Sequence, residues 1–235
     1  AMLTGGTWIA LVAAMGAGMA SGLFNGILST YGRVPSIITT LGTLFILRGI
    51  VLVVAGAQVL NLAPESRLLG TGQFIGLPIS VITLVFLVGC SAILERHSTF
   101  GRDLFAIGGN ARAAREVGLP IKRRRLTAFI LVGICCGIAS AVYLGQIGQL
   151  QATAATGLEL RVIAAIVLGG TSILGGRGTT SSPIIGAMLV GVILNAMTLN
   201  RVPGTYELVV LGSLILLAVS FDGLRTRIVT KRAGS

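Results

Sequence analysis

Long apolar segments separated by short charged connections constrain this chain more than any other feature. They lie near residues 7–29, 36–57, 77–94, 126–149, 160–175, 183–200 and 206–222. A helix needs about 20 residues to cross the hydrocarbon layer of a bilayer, and most of these segments have that length. Only 11% of the residues are charged, so a soluble core would lack the polar surface needed to cover it. We therefore predict an all-α fold: a polytopic integral membrane helical bundle of about seven spans, with at least one short or broken helix, forming a single transmembrane domain over 1–235.

The positive charges are concentrated in two places between or after the apolar segments. Eight of the 18 lysine and arginine residues lie in the connection 95–125, and four more lie in the tail 223–235. Short segments rich in lysine and arginine mark the cytoplasmic side of a membrane, so both are predicted to be cytoplasmic. The formal charge of +11 is therefore explained by the orientation of the chain in the membrane. Because there is one histidine and few aromatic residues, nucleic acid is not a predicted partner.

Four predicted spans lie between these two cytoplasmic segments. This number is even, as it must be if both segments are on the same side of the membrane. Counting backwards from residue 95 puts residue 1 on the outer side and Arg33 at an inner end. Arg177 also falls at an inner end, whereas 58–76 and 149–159 face outward. The charge rule and the span count agree with each other.

Residues that support enzymatic chemistry are scarce. One histidine, seven acidic residues and three cysteines inside apolar segments form no metal cluster and no catalytic triad, so we predict neither a catalytic nor a metal site. The spacing of Gly170, Gly175 and Gly176 matches a nucleotide-binding P-loop, but the required lysine is absent. Proton and sodium relays use carboxylates in mid-span, and the acidic residues lie in loops or near span ends. The chain is expected to lack an energy source of its own.

The cytoplasmic connection contains a predicted short helix. Asn110 is a good N-cap, and 111–117 favours helix. Gly118 can take the left-handed conformation that ends a helix, and Pro120 disfavours any continuation. A helix of about seven residues is unstable alone, because its few hydrogen bonds do not offset the unfavourable free energy of helix nucleation. Its alanines allow close approach, and we predict that it docks against a partner. A solvated, positively charged loop is the alternative.

The fifth apolar segment contains its own helix breakers. Residues 162–183 read VIAAIVLGGTSILGGRGTTSSP, and each glycine costs a helix about 1 kcal/mol relative to alanine. We predict a short helix over 160–169, a turn over 171–175 and a bend over 176–178. Small residues also let membrane helices pack closely, so an unbroken, closely packed helix is the alternative.

Few polar side chains lie within the apolar segments, and such groups tend to face the bundle interior or an aqueous path. The candidate residues of a translocation path are Asn25, Thr39, Thr43, Thr171, Ser172 and Asn195. Hydrogen bonding between helices is the alternative role for each of them. No aromatic pair with convergent carboxylates, the usual arrangement for holding a sugar, is evident. We expect the chain to pass a solute without selecting it tightly.

Several stretches match one family in order and spacing. They are VPSIITTLGT from Val34, the segment from Phe100 to Gly118, and TGLELRVIAAIVLGGTSILGGRGT at 156–179. Together they resemble the permease subunits of bacterial ribose-type carbohydrate ABC importers, a group that includes the autoinducer-2 permeases. The ending AVSFDGL is similar to the autoinducer-2 or rhamnose-type members.

The resemblance implies a subunit of the bacterial inner (plasma) membrane, with a cytoplasmic C-terminus. It passes a sugar or sugar-like solute of the ribose, rhamnose or autoinducer-2 class from a periplasmic solute-binding protein to the cytoplasm. Its implied partners are the lipid bilayer, a second permease, identical or related, and separate ABC ATPase subunits, which bind the ATP so that the permease itself needs no cofactor. The family's ATPase-coupling loop carries over onto Gly109, Asn110, Ala113, Ala114 and Gly118, with Arg112 and Arg115 supplying charge at its rim.

Two departures from the family pattern stand out. Arg112 occupies a position where members often have glutamate, which alters an ionic contact to the ATPase. Relatives also begin with further membrane spans and an Asp-Leu-Ser-Val-Gly stretch that this sequence lacks, so we expect the chain to be truncated at its N-terminus. An independent channel or secondary carrier, or a non-transporting fragment, is the alternative function. The sequence identifies neither the solute nor the choice between a homodimer and a heterodimer.

Overall fold

The structure is a computed structural model that describes residues 2–56, 58–62, 67–151, 153–172, 175–176 and 178–233, with side chains except at 2–5, 7, 60, 219 and 221–233. Its helices are α1 (Met2–Thr30), α2 (Ser36–Ala55), α3 (Leu68–Thr71), α4 (Ile79–His97), α5 (Thr99–Gly109), α6 (Ala111–Glu116), α7 (Ile121–Ile147), α8 (Leu158–Leu168), α9 (Ser181–Leu199) and α10 (Thr205–Ala233). Two antiparallel pairs accompany them: β1 (Leu60–Asn61) with β4 (Gln149–Leu150), and β2 (Gln73–Phe74) with β3 (Leu77–Pro78).

Every predicted apolar segment contains a helix, which confirms the all-α, polytopic membrane fold. By length and composition, α2, α4, α7, α9 and the part of α1 from Trp8 can each cross a membrane. In α10 only the shorter stretch Thr205–Ala218 is comparably apolar. Many large apolar side chains on these helices are exposed, among them Val53, Val54 and Phe86. Such a surface is stable against lipid, whereas water would have to hydrate it.

The fifth apolar segment is broken, as predicted. Helix α8 has 11 residues and ends at Leu168, and the chain turns at Gly169 and Gly170, the second of which has φ +85°. The predicted turn and bend are only partly visible, because 173–174 and Arg177 lie outside the described residues. The break is therefore a property of the fold, and the alternative of an unbroken helix is wrong.

Two helices, α3 and α5, and the two strand pairs were not predicted from the sequence. Helix α5 occupies 99–109, within the connection that was treated as a loop before the short coupling helix. Ser98 begins it, because its hydroxyl oxygen accepts a hydrogen bond from the Gly101 N–H at 3.1 Å. Ile107 is buried, so α5 packs one apolar side against the protein.

The chain divides into two compact units, which are described separately. Unit 1 comprises Ala1–Ile93 and Arg115–Ala154, and unit 2 comprises Leu94–Ala114 and Ala155–Ser235. The single transmembrane domain expected from the sequence stays a prediction.

Unit 1 is built on close packing of α1 against α7, with α2 packed beside α1. Glycines make the contact possible. A Cβ added at Gly18 would overlap the carbonyl oxygen of Gly133, and one added at Gly137 would lie 2.8 Å from the Cα of Met15. Because the obstacles are backbone atoms, no side-chain rearrangement could accommodate the extra carbon. Small residues repeated along both helices thus hold their backbones together, as in other membrane bundles.

At one end of unit 1, the connections after α2 and after α7 are tied together. Strand β1 pairs with β4, and an Arg67 Nη2–H donates to the carbonyl oxygen of Gly148 at 3.0 Å. Helix α3 packs on α7, where a Cβ at Gly70 would lie 2.8 Å from the Cα of Gln146. These contacts join parts of 58–76 and 149–159, the two segments that the span count placed on the same outer side.

Unit 2 has its core where α8 packs against α9 and α10. The buried side chains there are Ala164, Ala165, Val190 and Leu211. Gly186 of α9 faces the carbonyl of Ala165, where an added Cβ would lie 2.7 Å from the carbonyl carbon. The small residues of the fifth segment therefore serve both close packing and the helix break.

Candidate coupling helix and translocation path

The predicted short helix is present as α6, with both of its predicted ends. The Asn110 side-chain oxygen accepts hydrogen bonds from the N–H groups of Arg112 and Ala113, at 3.0 and 3.1 Å. Gly118 has φ +79°, and its N–H donates to the carbonyl oxygen of Arg115 at 3.0 Å. An N-cap satisfies N–H groups that no helical carbonyl can reach, and a left-handed residue ends the turn. Local chemistry thus holds a helix that its length alone would not stabilise.

The side chains of α6 divide into a buried and an exposed set. Ala114 is 4% exposed and is already packed within this chain. The exposed members of the predicted coupling loop are Gly109, Asn110, Arg112, Ala113, Arg115 and Gly118. A partner that binds α6 would meet this second set. The coupling role of all seven residues stays a prediction.

The glycine-rich break after α8 lies against the end of α5, immediately before α6. A Cβ added at Gly108 would lie 2.5 Å from the backbone nitrogen of Gly176. Gly176 has φ +74°, which favours glycine, and a Cβ there would lie 2.5 Å from the Cα of Gly109. Sequence reasoning named Gly109 and Gly176 in separate segments and missed the contact between those segments. Within unit 2, the backbone of the broken span therefore touches the backbone of the segment leading into α6 at these glycines.

A second contact in unit 2 joins the end of α4 to the start of α9. The Glu95 carboxylate oxygen Oε2 accepts hydrogen bonds from the Thr180 N–H, at 2.7 Å, and from the Thr180 hydroxyl. Thr180 immediately precedes α9, so the negative charge lies at a helix N-terminus, where it is favourable. The sequence showed Glu95 only as one of several acidic residues near span ends, and nothing in the spacing pointed to its partner 85 positions away.

Two substitutions at Glu95 distinguish the contribution of its negative charge to stability from that of its hydrogen bonds. We expect Glu95→Ala to lower the stability of unit 2 by about 1.5–3 kcal/mol, because it removes a carboxylate that accepts two hydrogen bonds. Glu95→Gln keeps an acceptor oxygen and is expected to lose about half as much. Thermal unfolding of the detergent-solubilised chain would measure both. Equal stability of the alanine variant and the wild type would contradict the prediction.

Three of the candidate path residues meet in unit 1. The Thr43 hydroxyl lies 2.7 Å from Asn25 Oδ1 and 3.0 Å from the carbonyl oxygen of Thr39, and it can donate to either. Thr39 and Thr43 are buried, and Asn25 is half-buried. The bond joins α1 to α2, which was the alternative role proposed for such residues. Whether this cluster also borders a solute path stays a prediction.

The other three candidates lie in unit 2, in two places. Thr171 and Ser172 are half-buried in the break after α8. Asn195 is exposed on α9 and lines a cavity of about 220 Å³. Arg161 and Glu207 line the same cavity and form an ion pair with each other. Sequence reasoning did not name Arg161 or Glu207 as path residues, although charges within apolar segments are the signal that could have identified them.

Comparison with known proteins decides the family. A family model described as the permease component of branched-chain amino acid transport systems matches residues 1–219. The chain belongs to this permease family.

Three characterised relatives are similar to this permease. It is 35% identical over 210 residues to the L-arabinose ABC transporter permease protein of Azospirillum brasilense, covering 89% of this chain and 62% of the relative. It is 37% identical over 201 residues to the ribose import permease protein of Bacillus subtilis (strain 168), covering 84% and 62%. It is 36% identical over 217 residues to the autoinducer 2 import system permease protein of Yersinia pestis (strain Pestoides F), covering 92% and 61%. The permease thus spans less than two thirds of the length of these relatives. No solved structure matches it significantly.

These similarities confirm the resemblance drawn from VPSIITTLGT, the 100–118 segment and the glycine-rich stretch. The family and the five apolar helices identify a multi-pass membrane protein. The exposed side of α6 is available to a partner, and the backbone before it contacts the broken span.

Proposed function

We propose that this chain is the transmembrane permease subunit of a bacterial ABC importer. It passes a sugar or sugar-like solute, of the ribose, rhamnose or autoinducer-2 class, from a periplasmic solute-binding protein to the cytoplasm. The observation that carries the proposal is α6, a helix of six residues capped at both ends and exposed on one side. A capped helix with exposed residues offers a separate ATPase subunit a defined surface to bind.

The ATPase subunits supply the energy, and this chain binds no ATP and needs no cofactor. When the ATPases close on ATP, they displace α6 at its exposed residues, including Arg112 and Ala113. Helix α5 moves with it because only Asn110 separates the two helices. The contact between Gly108 and Gly176 then carries the displacement to the broken span. Because backbone packs on backbone there, little of the movement is absorbed by side-chain rotation.

We propose Asn25, Thr39 and Thr43 as solute-contacting residues of unit 1. In unit 2 we propose Thr171, Ser172 and Asn195 for the same role, with Thr171 and Ser172 in the break after α8. A second permease, identical or related, completes the path. The binding protein selects the solute, and the permease works in the inner membrane with a cytoplasmic C-terminus.

The coupling helix can be tested at Gly118 with a matched pair of variants. Gly118→Pro cannot adopt the φ of +79° because the proline ring holds φ near −65°, so the end of α6 must deform. Gly118→Asn tolerates the left-handed conformation. We expect Gly118→Pro to reduce co-purification of the co-expressed cognate ATPase at least tenfold, and Gly118→Asn to reduce it less than twofold.

Reconstitution in liposomes with the ATPase and binding protein would complete the test. Uptake should require ATP and should fall in parallel with ATPase association in the proline variant. Undiminished ATPase binding by a folded Gly118→Pro protein would contradict the coupling role. Solute flux through the chain alone without ATP would identify an independent channel or carrier instead.

A further inference from the structure

Unit 1 contains a large basic cleft that shares only Arg115 with the proposed coupling loop and no residue with the candidate translocation path. It has a volume of about 1150 Å³ and is formed by the end of α1, the start of α2 and the start of α7. Five cationic side chains line it, and none of the described residues around it is acidic. The cations are Arg33, Arg115, Lys122, Arg123 and Arg125. The positive potentials of these side chains add in a partly enclosed space, so an anion is strongly favoured there.

Within the part of the chain that the structure describes, none of these five cations forms an ion pair. The Lys122 ammonium lies 5.4 Å from the centre of the Tyr31 ring, a cation–π contact that orients it without cancelling its charge. Five cations brought together repel one another, so an anionic ligand would remove a destabilising interaction.

A buried hydroxyl group without a partner lies in the wall of the cleft. Thr30 is 9% exposed, and its Oγ1 has no hydrogen-bond partner among the described residues. A buried hydroxyl without a partner is unfavourable, and a ligand oxygen that accepts its hydrogen bond removes that cost. Ser36 and Ile37, at the first turn of α2, also line the cleft. The N–H groups of a first helical turn lack partners within their helix, and they bind phosphate readily.

We propose that this cleft binds a phosphate group, carried by the headgroup of an anionic phospholipid in the adjoining leaflet. The cleft lies where three membrane-crossing helices end or begin, which is the depth of lipid headgroups. Along α2 from the cleft, Ile37, Leu41 and Phe45 recur at every fourth position and are exposed, Ile37 to 68%. This stripe gives acyl chains an apolar surface next to the charged site. The proposal does not depend on the ABC importer function.

The test compares two lipids that differ in charge. The purified chain in neutral detergent would be titrated with phosphatidylglycerol or phosphatidylcholine, and bound lipid would be counted by native mass spectrometry. We expect phosphatidylglycerol to bind at least tenfold more tightly. Each cation near a membrane surface contributes about fivefold to the binding of anionic lipid, so the double variant Arg33→Gln/Arg123→Gln should weaken that binding about 25-fold.

A matched double variant controls for total charge. Arg96→Gln/Arg102→Gln also removes two exposed cations, which do not line the cleft, and should leave phosphatidylglycerol binding within twofold of the wild type. Thr30→Val preserves the shape of the side chain and should weaken binding severalfold. The thermal unfolding midpoint of the lipid-free protein should not fall, because the variant removes a buried hydroxyl that has no partner among the described residues.

Added inorganic phosphate distinguishes the source of the ligand. If millimolar phosphate leaves phosphatidylglycerol bound, the lipid is the ligand. If it displaces the lipid from the wild type but has no effect on the Arg33→Gln/Arg123→Gln protein, the site binds phosphate from either source. Equal affinity for the two lipids, or equal loss in both double variants, would overturn the proposal, because the charges would then act only as a diffuse surface.

Discussion

Gly18→Val should force α1 away from α7 and destabilise unit 1, whereas Gly16→Val should be tolerated. The two glycines lie two residues apart in the same helix. A Cβ at Gly18 would overlap the carbonyl oxygen of Gly133 and lie 3.0 Å from the backbone nitrogen of Gly137, but a Cβ at Gly16 meets nothing within 4 Å. Overpacking typically costs about 1–3 kcal/mol, and we expect about 3 kcal/mol here because the obstacle is backbone.

Thermal unfolding in detergent measures this difference. A loss of about 3 kcal/mol corresponds to a Tm lower by about 6–12 °C for a chain of this size. The Gly16→Val protein should match or slightly exceed the wild type, since valine has a somewhat higher helix propensity than glycine. If both variants unfolded at the same temperature, the close contact between α1 and α7 would be wrong.

Valine at position 186 should produce a comparable loss in unit 2. A Cβ at Gly186 would overlap the carbonyl oxygen of Ala165 and lie 2.8 Å from the backbone nitrogen of Gly169, so it would separate α9 from α8 and from the helix break. Gly191 lies on the same helix, and an added Cβ there meets nothing within 4 Å. We expect Gly186→Val to lose about 3 kcal/mol and Gly191→Val to change stability by less than about 0.5 kcal/mol.

The Gly186 experiment also has a functional readout. Because α8 ends beside α9, a displaced α9 should misplace Thr171 and Ser172, and ATP-driven uptake should fall more than tenfold even at temperatures where the variant stays folded. ATPase association should persist, since α6 is capped by its own residues. Full uptake by a Gly186→Val protein would show that the α8–α9 contact is not needed for transport.

The features that sequence reasoning predicted correctly depend on local chemistry. The caps of α6 need only Asn110 and Gly118, each within three residues of the groups that it serves. The end of α8 follows from two adjacent glycines, whose low helix propensity acts where they stand. The seven helical segments follow from apolar runs, because a bilayer leaves a chain no way to satisfy its backbone except internal hydrogen bonding.

The features that were missed depend on partners distant in sequence. Glu95 binds Thr180 across 85 positions, and Gly108 meets Gly176 across a similar interval. Helix α5 was missed for a different reason: its position in a charged connection is typical of a loop. The burial of Ile107 and the contact of Gly108 with Gly176 show that it packs. Four of the five cations of the basic cleft were recognised in the sequence as part of a charged connection. That they lie close to Arg33 and Thr30 was not predicted.

The sequence by itself determined that this chain crosses a membrane several times, where its fifth helix breaks, and which residues cap α6. Each of these follows from hydropathy or from hydrogen bonds within a few residues. Only the tertiary structure decided which glycines pack against another backbone and which face open space. It also decided which threonine forms a hydrogen bond with Asn25, and that five cations line one cleft. A glycine has the same local propensity whether or not another backbone lies against it, so its neighbour becomes known only when the helices are packed.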